Sequence, residues 1–206
     1  MGAAASINKE IGSLISEVTL KKLPEAVEEA VYIHEKFPLI IDPTEQASRF
    51  LKYQSGAFVN YDDPIQGQKS SLNRALVASM QNGRTFSLKV PNLQNITEDA
   101  FDPKLFPKEV LDRNAFFVDD VWQSVLKPNL GDPLPEDASI SPEFIFILVT
   151  VQEFIPAILL DKMHIIKVID PSKQNTPEGT TDGAVSCGDA GMDQIASLFG
   201  ANEIIR

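Results

Sequence analysis

Five short runs of apolar residues punctuate this chain, separated by stretches in which apolar residues recur at helical spacing. Most of the runs are apolar at nearly every position, which is typical of strands buried on both faces of a sheet. Strands of this kind alternating with helices predict a parallel sheet with helices on both faces. We therefore expect a three-layer α/β core around a five-stranded, mainly parallel sheet. The predicted strands cover residues 37–42, 57–61, 85–90, 144–151 and 164–169.

Helical spacing of apolar residues predicts the elements between these strands. Near the N-terminus, Ile7, Ile11, Leu14 and Ile15 indicate a short amphipathic helix. Thr44 is expected to cap a helix that follows the first core strand. The composition of residues 127–141, rich in Pro, Gly and Asp, indicates a loop or a short hairpin. The other predicted helices cover residues 23–35, 45–53, 70–80, 107–111, 118–126 and 156–160.

These elements divide the chain into three parts. Residues 1–36 form an N-terminal helical extension, and residues 37–171 form the core. Residues 172–206 form a flexible linker, because Gly, Thr and Ser dominate its first half, and then a short helix at residues 193–199. Ligands of open parallel sheets bind at the carboxyl ends of strands, so we expect any chemistry in the loops that follow the core strands.

Several segments occur in an order that is also found in a known family. The first is Ile41-Asp42-Pro43 followed by Gln46-Ala47, at the end of an apolar strand. Taken together, these segments resemble the fifth AAA+ module of dynein heavy chains, over roughly residues 37–171. The resemblance implies an AAA+ core of the P-loop type. The later segments that match in order are residues 72–76, 82–83, 102–103, 105–107 and 140–144, with Thr150.

The turn after the first core strand lacks the groups that bind phosphate. A phosphate-binding loop has the pattern G-x-x-x-x-G-K-[ST], whose glycines admit the phosphates and whose lysine neutralises them. Both glycines are missing here, and Ala47 stands where the lysine is expected. Only Ser48 retains the hydroxyl of a magnesium ligand. The corresponding positions are Asp42, Pro43, Thr44, Glu45, Gln46, Ala47 and Ser48.

Two further positions of the nucleotide site also depart from the family. The third core strand should end in acidic residues that hold magnesium, but it ends in Val90-Pro91-Asn92. Thr150 corresponds to a polar sensor position, and a purely structural threonine is the alternative. We therefore expect no catalytic residues, no cofactor and no ATP hydrolysis.

Composition narrows the remaining classes of function. Lys and Arg total 18 against 29 Asp and Glu, a net charge of -11, so the acidic chain is not expected to bind nucleic acid. The single cysteine, Cys187, cannot form an internal disulfide, and His34 and His164 are too few for a zinc cluster. Asp119 and Asp120 could bind a cation or begin a helix, and Trp122 could anchor a partner or fill the core.

The N-terminal sequence fits a lipidation motif. Gly2 after the initiator Met, with Ser6 at the required offset, predicts myristoylation of Gly2; an unmodified Ala-rich start is the alternative. A single acyl chain supports only weak, reversible membrane binding.

Three hypotheses for function result from these observations. The first is a non-catalytic, dynein-related scaffold or interaction module in the cytoplasm and cytoskeleton, specifically in a ciliary or flagellar axoneme, with protein partners from a microtubule-associated assembly. This step is an analogy at the level of the fold. The second is a nucleotide-binding switch or weak ATPase that uses Ser48 and Thr150. The third is a peripheral membrane adaptor anchored through Gly2, which is compatible with the first.

Overall fold

A single parallel sheet organises the structure, a computed structural model that describes residues 15–54, 56–95 and 101–170. Within these residues six strands pair in the order β1-β6-β2-β5-β4-β3, and every neighbouring pair is parallel. The predicted α/β class is confirmed, with one strand more than the five expected. The strands are β1 Ile15–Thr19, β2 Phe37–Ile41, β3 Gly56–Asn60, β4 Thr85–Lys89, β5 Ile145–Thr150 and β6 Met163–Ile169.

The helices agree with the predicted ones most closely where apolar spacing was regular. The segment predicted as a helix at residues 107–111 instead forms the 3-10 turn Lys108–Leu111. Residues 127–141 contain turns, including the 3-10 turn Pro128–Leu130, and no hairpin. The helices of the described residues are α1 Leu23–Tyr32, α2 Gln46–Lys52, α3 Lys69–Gln81, α4 Arg113–Phe116, α5 Asp119–Ser124 and α6 Ala157–Lys162.

The prediction of a helix reaching Ile15 is wrong, because Ile15 begins the edge strand β1. This strand pairs with β6 along its whole length, from Ile15 beside Ile165 to Thr19 beside Ile169. Ile, Val and Thr are β-branched and fit a strand, and the pairing with β6 outweighs the helical spacing of Ile15 with the residues before it. The rest of the predicted helix lies outside the described residues, as do Gly2, Cys187 and residues 172–206.

Each face of the sheet is covered by its own helices. Alternate residues of a strand point to opposite faces; thus Ile40 packs with α1 and α2, while Leu39 and Ile41 pack with α3 and α6. Residues 106–126 complete the cover on the α3 side. Helices on both faces of a parallel sheet give the predicted three layers.

Phenylalanine rings fill the core on the α3 side. Phe146, the second residue of β5, is fully buried. Its ring centroid lies 6.0 Å from that of Phe37, 5.6 Å from Phe86 and 6.3 Å from Phe106. The rings meet at steep angles, the arrangement that aromatic quadrupoles favour. This cluster joins β2, β4 and β5 and therefore fixes the strands that carry the candidate site.

The strand order leaves a crevice between the carboxyl ends of β2 and β5. The chain leaves β2 through α2 on one face and reaches β3 at the far edge. It leaves β5 through α6 on the other face and reaches β6, beyond β2. Adjacent strands whose connections depart to opposite faces form the crevice in which such sheets bind ligands. Asp42 directly follows β2, and Thr150 ends β5.

Candidate functional site

The crevice brings together two of the residues predicted to lie at a degenerate nucleotide site. The backbone N–H of Asp42 donates to the carbonyl oxygen of Thr150 at 2.8 Å, which extends the pairing of β2 and β5 by one residue. Both residues are fully buried, with 0% of their surface exposed. A buried aspartate must satisfy its carboxylate with hydrogen bonds or charge.

The carboxylate of Asp42 is satisfied by the first turn of α2. Its Oδ1 accepts hydrogen bonds from the Thr44 hydroxyl at 3.1 Å and the Gln46 N–H at 3.2 Å, and its Oδ2 accepts from the Ser48 N–H at 3.0 Å. The first N–H groups of a helix have no partner within the helix and attract anions. The donors that a phosphate would use at this turn are therefore bound to a side chain of the chain itself.

This arrangement differs from the predicted cap. Thr44 does not cap α2; its hydroxyl donates to Asp42, and the residue before the helix is Glu45. Glu45 has a left-handed backbone, with φ 58° and ψ 17°, which is uncommon for a residue with a side chain. This conformation turns the chain so that Asp42, four residues before Gln46, can reach the helix.

The two positions that should bind phosphate and magnesium lie on the buried face of α2. Ala47 has 0% of its surface exposed and packs in the core on the α1 side, and Ser48 has 6% exposed. The Oγ of Ser48 has no hydrogen-bond partner among the described residues. A lysine at position 47 would have to displace core side chains, so the missing cation is a consequence of how α2 packs.

Thr150 and Asn92 stabilise local turns. The hydroxyl of Thr150 donates to the carbonyl oxygen of Pro91 at 3.4 Å and accepts from the N–H of Gln152 at 3.2 Å. The side-chain oxygen of Asn92 accepts from the N–H of Gln94 at 2.9 Å. These contacts favour the structural interpretation of Thr150.

Lys89, which ends β4, is a residue of this region that the sequence interpretation missed. Its Nζ lies 3.1 Å from Oε2 of Glu45, and 15% of its side chain is exposed. The sequence did contain a signal, since a lysine interrupts an otherwise strand-like run. Without the strand order, however, nothing placed it beside residue 45.

The remaining candidates have structural roles among the described residues. Trp122 has 4% of its surface exposed, and its Nε1–H donates to Oδ1 of Asp119 at 3.0 Å, so it fills the core. Asp119 and Asp120 lie in the first turn of α5, where acidic side chains are stabilised by the helix dipole. Residues 15–54, 56–95 and 101–170 contain no group of three or more His, Cys, Asp and Glu that could hold a metal ion.

The two histidines stack on each other at the opposite, amino-terminal edge of the sheet. The rings of His34 and His164 lie 4.3 Å apart and 11° from parallel. Nε2 of His164 is 3.1 Å from the Ser16 hydroxyl, and Nε2 of His34 is 3.7 Å from Oε1 of Glu29. Burial lowers the pKa of His164, and the nearby positive charges of His34 and Lys36 lower it further, against an opposing effect of Glu29.

We expect His164 to make the folded chain less stable as the pH falls. The pKa of His164 is lower in the folded chain than the ordinary value of 6.5, so the unfolded chain binds more protons near and below that pH. The stabilisation is complete above pH 6.5 and is lost as the pH falls through the folded-state pKa. Urea unfolding from neutral to mildly acidic pH gives the free energy of unfolding at each pH. This free energy should fall less steeply with decreasing pH in His164→Gln than in the unsubstituted chain. His34→Gln removes the second cause of the lowered pKa but keeps His164 itself, so it is the control and should retain part of the slope; equal slopes in all three proteins would contradict this assignment.

Comparison with known proteins finds no matching protein-family model and no matching curated protein. Within the described ranges, no helix is both long enough and apolar enough to cross a membrane. The geometry of the crevice is therefore the basis on which a function can be proposed.

Proposed function

We propose that this chain is a non-catalytic scaffold or interaction module built on an AAA+-like core. The observation that carries the proposal is the Asp42 carboxylate, which is bound to the start of α2 by three hydrogen bonds. A phosphate at this turn would need the same donors and would be repelled by the buried negative charge. Asp42 thus replaces the nucleotide as the anion at this helix.

Two other contacts support a module that does not hydrolyse ATP. Phosphoryl transfer requires a cation at the phosphates and a carboxylate that holds magnesium. The cation position is Ala47, which packs in the core. Strand β4, where that carboxylate is expected, ends in Lys89. The positive charge of Lys89 would repel a divalent cation.

The resemblance to dynein modules supplies the biological setting of the proposal. The segment Ile41-Asp42-Pro43 that carries the resemblance lies at the carboxyl end of β2, and β2 is placed between β5 and β6. Degenerate modules of dynein rings serve as rigid docking bodies, and by analogy this chain docks protein partners in a ciliary or microtubule-associated assembly. A filled anion position suits this role, because the body keeps its shape without a nucleotide.

The first test is binding of fluorescent ATP and ADP analogues to the purified chain, with and without magnesium. We expect no saturable binding up to high micromolar concentrations. Saturable, magnesium-dependent binding that is lost in Ser48→Ala would overturn the proposal and favour a nucleotide switch. Ser79→Ala removes another buried hydroxyl, from α3, and is the matched control for unspecific effects on folding.

Docking is tested with the same chain in axonemal extract. A partner retained by a scaffold should remain bound after ATP depletion and after ATP addition alike. Release of the partner by ATP would contradict the non-catalytic proposal even if direct nucleotide binding were too weak to detect.

A further inference from the structure

A polar cleft of about 360 Å³ lies beside the crevice, between α2 and the carboxyl ends of β3 and β4. Its lining includes three basic side chains, Arg49, Lys52 and Lys89. Such a cluster is unexpected on a chain with a net charge of -11. The volume lies at the lower end of the range for small-molecule sites, about 300–1,000 Å³. We call this feature the polar cleft.

Lys89 forms an ion pair with Glu45, and an anionic ligand could take the place of the Glu45 carboxylate. Its largely buried ammonium group needs a counter-charge, and Glu45 supplies one at 3.1 Å. The Glu45 side chain is 51% exposed and belongs to a residue in the left-handed backbone region. A solvated carboxylate of this kind can swing away from Lys89 when another anion enters the polar cleft.

Two buried polar atoms of the cleft-lining residues lack partners. Oγ of Ser48 and Oδ1 of Asn60 have no hydrogen bond within the described residues. By contrast, the backbone N–H of Asn60 donates to Oε1 of Gln66 at 3.1 Å. Buried polar atoms are nearly always paired, so these two require an explanation. A hydroxyl can donate or accept, whereas an amide oxygen only accepts; a ligand that satisfies both must bring a donor as well as an anion.

The other carboxylate of the polar cleft is already engaged. Oδ1 of Asp63 accepts from the N–H groups of Ile65 and Gln66, each at 2.9 Å. These hydrogen bonds, first that from Gln66, lower the pKa of Asp63 and keep it anionic. Asp63 therefore stays negatively charged, and together with Glu45 it offsets two of the three basic side chains, which leaves an excess of positive charge in the polar cleft.

We propose that the polar cleft binds a small anion that also carries hydroxyl groups, the chemistry shared by sugar phosphates and hydroxy acids. Lys89 and Arg49 contact the anionic group, Ser48 and Asn60 bind the polar groups beside it, and Glu45 holds Lys89 until the ligand displaces it. The polar cleft lies beside the nucleotide crevice and shares Glu45 and Ser48 with it. Binding there extends the scaffold function to a module that responds to a small molecule.

The test is a titration of the full ¹⁵N-labelled chain with glycerol 3-phosphate, with glycerate and with inorganic phosphate, followed by amide chemical shifts. Saturable shifts at the lining residues are expected for the two hydroxylated anions, with inorganic phosphate binding more weakly. Lys89→Met should weaken the affinity about tenfold, because it removes a charge-assisted hydrogen bond. Glu45→Gln should tighten it several-fold, since the internal competitor is gone.

Two further variants keep the result interpretable. Arg49→Gln changes an exposed side chain, so it preserves the fold and should still weaken binding; Lys108→Met removes an exposed lysine from a distant turn and should change nothing. Absence of saturable shifts would overturn the proposal. So would an affinity of Lys89→Met and Arg49→Gln equal to that of the unsubstituted chain, or shifts centred on Asp42 in place of the polar cleft. An ATP analogue also carries phosphate and hydroxyl groups, so loss of its binding in Lys89→Met would place it in the polar cleft. Failure of the glycerol 3-phosphate titration would leave the result with ATP analogues unchanged.

Discussion

Replacing Phe146 by alanine should lower the free energy of unfolding by about 3–5 kcal/mol, as for other buried phenylalanines. The Phe146 side chain is fully buried on β5 and its ring contacts three others, from β2, β4 and the segment before α4. Its removal leaves a cavity that the rigid sheet cannot close, and it deletes three aromatic contacts, each worth about 0.5–1.5 kcal/mol beyond area burial.

Urea unfolding followed by circular dichroism measures this effect from the shift of the midpoint at constant slope. Phe154→Ala is the matched control, because 65% of Phe154 is exposed in the loop after β5, and it should change stability by less than about 0.5 kcal/mol. If the two substitutions cost the same, Phe146 is not at the centre of the core and the packing of β5 between β2 and β4 is wrong.

The central strands could be predicted from the sequence because their environment is the same on both faces. In β2 and β5 nearly every residue is apolar, and only burial between two helical layers produces that pattern. The prediction did not depend on knowing which strands are neighbours. The same runs therefore gave both the fold class and the position of the candidate crevice at the ends of β2 and β5.

The edge strand β1 could not be predicted in this way. Its sequence, Ile15-Ser16-Glu17-Val18-Thr19, mixes apolar and polar residues, and its partner β6 begins at Met163. Strand propensity depends on such a partner, and a pairing between distant segments leaves no local signal. Helical spacing with the preceding apolar residues was consequently the stronger local pattern, although the chain adopts the other structure.

The residues of the crevice could be predicted, but the role of Asp42 could not. From the sequence, Asp42 was only one of the positions of the degenerate phosphate-binding loop. In the structure its carboxylate turns back onto the N–H groups of Gln46 and Ser48, and this geometry depends on the left-handed backbone of Glu45. A left-handed glutamate is rare enough that no sequence rule anticipates it.

Asp42→Ala should be the most destabilising substitution among the polar residues of the crevice, with a loss of about 3 kcal/mol in the free energy of unfolding. The estimate is the cost of leaving the buried donors of this turn unpaired, about 1–3 kcal/mol. Asp42→Asn keeps one side-chain acceptor and should lose less. Asp120→Ala removes the same charge from an exposed helix start and should stay within about 0.5 kcal/mol of the unsubstituted chain.

The same variant tests whether Asp42 is the built-in occupant of an anion position. Asp42→Ala frees the hydroxyl of Thr44 and the N–H groups of Gln46 and Ser48, and formate is a carboxylate small enough to enter the space left by the side chain. Because a ligand that binds only the folded chain stabilises it, formate should raise the melting temperature of Asp42→Ala more than that of the unsubstituted chain or of Asp120→Ala. Equal shifts in all three proteins would mean that these donors do not form an anion site, and Asp42 would then be an ordinary helix cap. A selective shift would show that the donors of this turn bind an anion once the Asp42 carboxylate is removed, and that Asp42 occupies that position in the unsubstituted chain.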